Sequence, residues 1–198
     1  GEQEQSAGGL QSLSDIKPQI SSSSALLPKE EDILWASEDP DAEMQELGDL
    51  WENMPRQVDA WHASYSMAMQ ESRKEGKPVL IWFTDSKSNS IDKALEAEVF
   101  SQQEFKSWAE GNVILLRVDR RIYEDDPHLK KRKVDYVNNL KKRYKVLGAP
   151  VVLVLSPRGA SFGKYVGYKA GAPEFYFGKL KSGSRNAVED YGRWREEY

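Results

Sequence analysis

Lys77-Pro-Val-Leu-Ile-Trp-Phe-Thr84 is an unbroken apolar run entered through a proline and left through a threonine. A strand with one wet face alternates apolar and polar residues; this one does not, which predicts a strand buried on both faces, as in sheets covered by helices. Upstream, Trp61, Tyr65, Ala68 and Met69 recur at helical spacing and predict a helix from about Asp59 to Glu75, ended by Gly76. Downstream lies a small polar loop, Asp85-Ser-Lys-Ser-Asn-Ser90, and then a helix with Leu95, Val99 and Phe100 turned inward. Ser101-Gln-Gln-Glu104 has the pattern of a capping box and is expected to open another helical turn through Phe105 and Trp108.

The alternation continues. Val113 to Val118 reads as a second buried strand, and His128 to Tyr144 as a strongly charged helix with Val134, Val137, Leu140 and Tyr144 on its inner face. Val151 to Leu155 is a third strand, Ser156-Pro-Arg-Gly159 a turn, and Ala160 to Tyr168 a fourth strand closing a hairpin. Pro173 opens a helix to about Lys181, Ser182-Gly-Ser184 is expected to break it, and Asn186 to Tyr198 forms a short last helix. From about Ala60 the order is α-β-α-β-α-β-β-α with a helical extension. It predicts an α/β fold: a central mixed four-stranded sheet with helices on both faces.

The first 60 residues differ in kind. They hold 3 Lys/Arg against 14 Asp/Glu, a net of −11, whereas residues 61–198 carry +7. Residues 1–40 read as a linker-like acidic arm, because Gly8-Gly9, the Ser21 to Ser24 run and three prolines bury too little to offset chain entropy. Within 41–56, Met44, Leu47, Leu50, Trp51 and Met54 predict a short amphipathic helix stopped by Pro55. It either packs on its own domain or binds a partner. The main domain then spans 57–198. The arm itself is a candidate occupant of the basic domain, through a contact that salt would weaken.

The chain has no cysteine and two histidines, His62 and His128. Disulfides, thiolate catalysis and Cys-ligated zinc are excluded, a His-rich metal site is not expected, and no cofactor is implied. No apolar run reaches the ~18 residues that a spanning helix needs. A start at Gly1 rather than Met fits a processed export product or a cloning scar.

Several stretches together resemble thioredoxins. Lys77-Pro-Val-Leu-Ile-Trp-Phe83 resembles their first core strand, Tyr144-Lys-Val-Leu-Gly-Ala-Pro-Val-Val152 the approach to their cis-proline, and Gly163 to Gly167 their closing strand. More narrowly, Phe83-Thr-Asp-Ser86, Glu98-Val-Phe100, Phe105, Trp108 and Asn112-Val-Ile-Leu-Leu-Arg-Val-Asp119 resemble bacterial thioredoxin-like proteins related to exported thiol–disulfide interchange proteins. The resemblance covers about residues 60–181. It implies an extracytoplasmic, bacterial protein whose signal peptide has been removed.

The departures are as informative. In that subfamily a Cys-x-x-Cys lies between the two anchors, and a gap-free match puts its cysteines on Asn89 and Asp92; the shorter loop of ordinary thioredoxins shifts them to Ser88 and Ile91. Neither register holds a thiol. The family's buried proton-transferring Asp falls on Trp82, and the Trp before the first Cys falls on Ser88. Asn and Asp can neither attack sulfur nor leave as a stabilised thiolate. What the resemblance leaves is Pro150, the expected cis-proline, and a groove in which the backbone of Ala149 pairs with a peptide.

The expected function is therefore a redox-inactive binding or scaffolding protein that recognises a peptide or protein segment at a groove formed by Ala149, Pro150, Asp85, Ser86 and Ser88. One alternative is an enzyme whose chemistry uses the polar loop 85–92, though a serine nucleophile there has no local histidine. The other is a structural module presenting its N-terminal arm. Asp85 to Glu96 has the length of an EF-hand loop, but Lys87 and Ser90 stand where a ligand and a glycine are required. A small anion at the helix start is more plausible there. Lys130 to Lys133 and Lys141 to Arg143 raise the question of nucleic acid; no recognition motif accompanies them, and a solvated helix face accounts for them better. The sequence does not fix the oligomeric state.

Overall fold

The computed structural model describes residues 60–85 and 89–197. The acidic arm (1–40), the amphipathic segment (41–56), Ser86 and Ser88 lie outside the described residues. The elements are α1 (Tyr65–Glu75), β1 (Val79–Thr84), α2 (Ser90–Leu95), a π-helical turn (Glu96–Phe100), α3 (Gln103–Asn112), β2 (Ile114–Asp119), α4 (Pro127–Arg143), β3 (Val151–Leu155), β4 (Ser161–Val166) and α5 (Pro173–Glu197). The strand order is β2-β1-β3-β4. β1 runs parallel to β2 and antiparallel to β3, and β4 adds an antiparallel edge.

All six residues of β1 are buried, and the period-two pleat divides them between two cores. Val79, Ile81 and Phe83 join Tyr65, Met69, Tyr136, Val137 and Leu140, so α1 and α4 cover that face. Leu80 and Trp82 join Leu95, Phe100, Phe105, Phe177 and Leu180, so α2, α3 and α5 cover the other. The mixed four-stranded sheet with helices on both faces expected from the sequence is the one found.

Four local expectations are corrected. The first helix begins at Tyr65, capped by Ser64. Trp61 and His62 run instead beside β2, with His62 N donating to Leu115 O (2.8 Å) and Arg117 N to His62 O (3.0 Å). A helix would put Trp61 and Tyr65 on one face, yet they serve opposite cores: Trp61 packs against Trp82 and Phe100. The capping box at Ser101 does not form. Ser101 N closes the π-turn on Glu96 O, and α3 starts after an extended Gln102 that makes no side-chain cap.

On α4, the largest inward side chain is Tyr136, which the spacing did not single out. It is buried, and its hydroxyl accepts from Tyr65 N at 2.9 Å. Lys133 is not on the solvated face; it is buried against Glu124, Nζ to Oε1 2.8 Å.

The last correction concerns α5, which runs unbroken through Ser182-Gly-Ser184. Ser184 Oγ donates to Leu180 O within the helix (2.8 Å). Gly183 lets the helix lie against the hairpin: a Cβ there would stand 2.7 Å from the Tyr165 hydroxyl and 3.3 Å from Phe162 O. That hydroxyl is itself fixed, donating to Lys179 O (2.9 Å). The glycine marks a close approach rather than a helix end. Gly183→Ala should therefore lower unfolding free energy by about 1–2 kcal/mol through overpacking. Gly178→Ala, in the same helix with open space around it, should raise it by about 0.5–1 kcal/mol. Denaturant unfolding of the two variants checks the opposite signs.

Candidate functional site

Parallel β1 and β2 both end at the edge where antiparallel β3 begins: Thr84 lies opposite Asp119, and Phe83 opposite Val151. Asp85, Arg120 and Pro150 therefore share one end of the sheet. The polar stretch after β1 feeds α2, whose N-cap is Asn89. Its Oδ1 accepts from Ile91 N and Asp92 N, both at 3.0 Å. Its Nδ2 crosses to the other chain segment and donates to Ala149 O at 2.7 Å. The Ala149–Pro150 peptide is cis, and Pro150 O accepts from Gly167 N at 2.8 Å.

One turn into α2, Asp92 is 2% exposed. Its Oδ1 accepts from the Trp82 indole Nε1 at 2.8 Å; its Oδ2 accepts from Asp85 N at 2.7 Å and from the Thr84 hydroxyl in a short contact. Three donors thus surround a group that, when ionised, can only accept. Asp85, also buried, turns its own carboxylate to Arg121 Nε (2.8 Å), with Arg120 Nε at 3.9 Å.

Glu98, the acid of the Glu98-Val-Phe100 stretch, holds the rim. It accepts from the Tyr168 hydroxyl (2.6 Å) and Gly171 N (2.8 Å), fastening the segment after β4 to the π-turn. The Tyr168 hydrogen bond, then that of Gly171, keeps its carboxyl below the usual carboxylate range. Burial, then Glu98, pushes the Tyr168 phenol up to about 12.

The structure brings together Asp85, Asn89, Asp92, Ala149 and Pro150. Sequence reasoning had Asp92 as a displaced cysteine position and as the end of the polar loop 85–92, and it missed that the Trp82 indole meets its carboxylate. The signal was present: the residue at 82 is an N–H donor where the resemblance leads one to expect an acid, and the residue at 92 is an acid where it leads one to expect a thiol. Neither carboxylate converges on a histidine. His62 bonds Glu71 (2.8 Å) beside the outer strand β2, and His128 sits exposed at the start of α4. Among the described residues, no group of three or more His, Cys, Asp or Glu could hold a metal ion. Two apolar side chains on the segments that meet here are exposed: Ile91, two residues after Asn89, at 48%, and Leu147, three before Pro150, at 87%.

Two predictions follow from this geometry. Asp92→Ala leaves the Trp82 indole, the Thr84 hydroxyl and the Asp85 N–H without their acceptor, at a cost of about 3–5 kcal/mol; a loss below ~1 kcal/mol on denaturant unfolding would remove Asp92 from its central place. For the Glu98–Tyr168 pair the pH signs oppose. A lowered carboxylate contributes stability above the ordinary range and loses it as pH falls through the lowered value. A raised phenol contributes below the ordinary tyrosine value of ~10 and loses it as pH rises toward about 12. Tyr168→Phe should lower the melting temperature at neutral pH and flatten both limbs of a melting-temperature against pH curve.

Known proteins share the domain that carries this site. The family model of the thioredoxin-like domain matches residues 65–176. A disulfide bond reductase, DsbH of Chlamydia pneumoniae, is 26% identical over 119 residues, which is 60% of this chain and 69% of that protein. Among solved structures, a DsbH oxidoreductase matches with a TM-score of 0.54 at 23% identity, over 67% of this chain and 92% of its own. A Thermus thermophilus thioredoxin matches over 65% of this chain and 87% of its own, at 19% identity and a TM-score of 0.45. With its family model spanning more than half its length, this chain belongs to the thioredoxin-like domain family, as a member that contains no cysteine.

Proposed function

We infer that the protein binds an extended peptide or protein segment at the surface around Pro150 and carries out no thiol–disulfide chemistry there. A chain without cysteine has no thiolate to form or resolve a mixed disulfide. The observation that carries the binding reading is at Ala149. Among the described residues its N–H meets no acceptor, while its carbonyl already takes the Asn89 amide. A carbonyl oxygen has two lone pairs, so an incoming strand can donate to the second and accept from the N–H. Ile91 and Leu147, both exposed, would supply the apolar contacts.

The enzyme reading is weaker. Asp85 is committed to Arg121 and Asp92 to three donors, so neither is placed as a general base. The likeness to a disulfide bond reductase of Chlamydia pneumoniae supports a bacterial, extracytoplasmic setting. No described helix is long and apolar enough to cross a membrane.

Amide-resolved NMR titration of the full chain with an extended peptide library tests the proposal. Shifts should centre on Ala149, Gly167 and Ile91. Ile91→Asp should weaken binding about 5- to 30-fold, as removal of a central apolar contact does, with the melting temperature unchanged. The protein should not reduce insulin above the dithiothreitol background. Shifts confined to another face, or insulin reduction by the purified chain, would overturn the reading.

A further inference from the structure

The segment joining α4 to β3 has features that packing does not require. Lys141, Lys142, Lys145, Val146, Leu147 and Gly148 line an open depression of about 400 Å³. Its three ammonium groups have no carboxylate among the lining residues, and among the described residues none of the three is in an ion pair. Leu147 shares the lining with them and is almost fully exposed. Favourable interaction with a helix C-terminus accounts for Lys141 and Lys142 at the end of α4. It does not account for Lys145, which lies beyond the helix at φ 56°, nor for a leucine in water.

The segment is also held in place. Val146 is buried and its N–H bonds Lys141 O (2.8 Å). Lys164, reaching from β4, donates to Tyr144 O (3.3 Å) and, in a short contact, to Lys145 O. Leu147 is thus presented on a pinned base, two residues before Ala149. Val166 extends the apolar surface: it lies opposite Val151, whose side chain belongs to the α4 face, and it is exposed.

We propose that the segment bound at Pro150 is acidic, with an apolar side chain seated on Leu147 and carboxylates between Lys141, Lys142 and Lys145. This rests on the Pro150 reading and narrows its ligand class. Three unpaired cations alone would suit phosphates equally. The exposed leucine that shares the depression favours a peptide, because an apolar contact adds nothing to a phosphate and completes the seat of an acidic–apolar segment.

The test is fluorescence anisotropy with the full chain at low salt. The probes are labelled peptides of repeating Glu-Glu-Leu, the same peptide with Gln for Glu, and a ten-nucleotide oligo-dT. The acidic peptide should bind about tenfold tighter than its Gln counterpart, the gain expected of a few exposed ion pairs, and should lose that margin as salt shortens the Debye length. K142E/K145E should abolish the margin while leaving Gln-peptide binding intact. Leu147→Ser should weaken both peptides without shifting the melting temperature. Equal binding of the two peptides would overturn the charge selectivity and leave the Pro150 groove standing; no binding of either would sink the groove as well. Oligo-dT outcompeting the acidic peptide would replace a protein ligand with a nucleic acid.

Discussion

Asp92 carries a carboxylate into a place with almost no access to water, and the end of the sheet is organised by the need to satisfy it. A buried carboxylate without partners costs several kcal/mol. Here the donors come from three consecutive levels of one region: the indole of Trp82, the hydroxyl of Thr84 and the main chain of Asp85. Because these belong to β1 and its exit, while Asp92 belongs to α2, the hydrogen bonds fix where the helix stands on the strand. Trp82 does two things at once. Its ring packs into the aromatic layer with Trp61 and Phe100, and its only polar atom faces the acid. Without an acceptor, a tryptophan that deep would leave its own N–H unsatisfied.

The described polar residues around Asp92 are tied down in the same way. Asn89 caps α2 and ties Ala149, Asp85 is neutralised by Arg121, and Glu98 gathers Tyr168 and Gly171. Among the described residues, Asn89, Asp92 and Glu98 each bond main-chain N–H or C=O groups, and Asp85 is held by Arg121. Chemistry at such a site would need a group whose protonation or nucleophilicity is held ready for a substrate; Asp85 and Asp92 are instead held by Arg121 and by three donors. The surface they hold up is a backbone edge at Ala149 with apolar neighbours.

Much of the fold could be read from the residues because it is set by burial. The β1 run, the β3 run and the helix spacing each fix an element whose face has no other place to go. What escaped was decided by tertiary contact. Trp61 at helical spacing with Tyr65 was assigned to a helix, yet the opposite core claimed it. Ser182-Gly-Ser184 looked like a break because glycine and serine are poor helix formers in isolation, whereas the close approach of Tyr165 requires the missing Cβ. At the site, the residues flagged for loss of thiol chemistry were found together, but the partnership of Trp82 with Asp92 joins positions ten apart and depends on α2 returning over the strand. Leu147 carried no signal at all; a leucine between Val146 and Gly148 reads as core until the turn is seen to face it outward.

The two ends of α4 bear on what the basic residues mean. Near its start, Lys133 is buried on Glu124 and Lys131 bonds Asp135 one turn on, so part of the run that resembles a nucleic-acid or import signal is consumed within the domain. At and just beyond its other end, Lys141, Lys142 and Lys145, which line one depression with Leu147, have no counter-charges among the described residues. The same helix thus buries Lys133 against a carboxylate, keeps Lys130 and Lys131 exposed near its start, and ends in Lys141 and Lys142 on the depression that Leu147 also lines. An even basic coat would point to a polyanion bound through its charge alone; under the proposed reading, the lysines that share a depression with Leu147 and the nearby Ala149 N–H would together seat a short stretch of polypeptide.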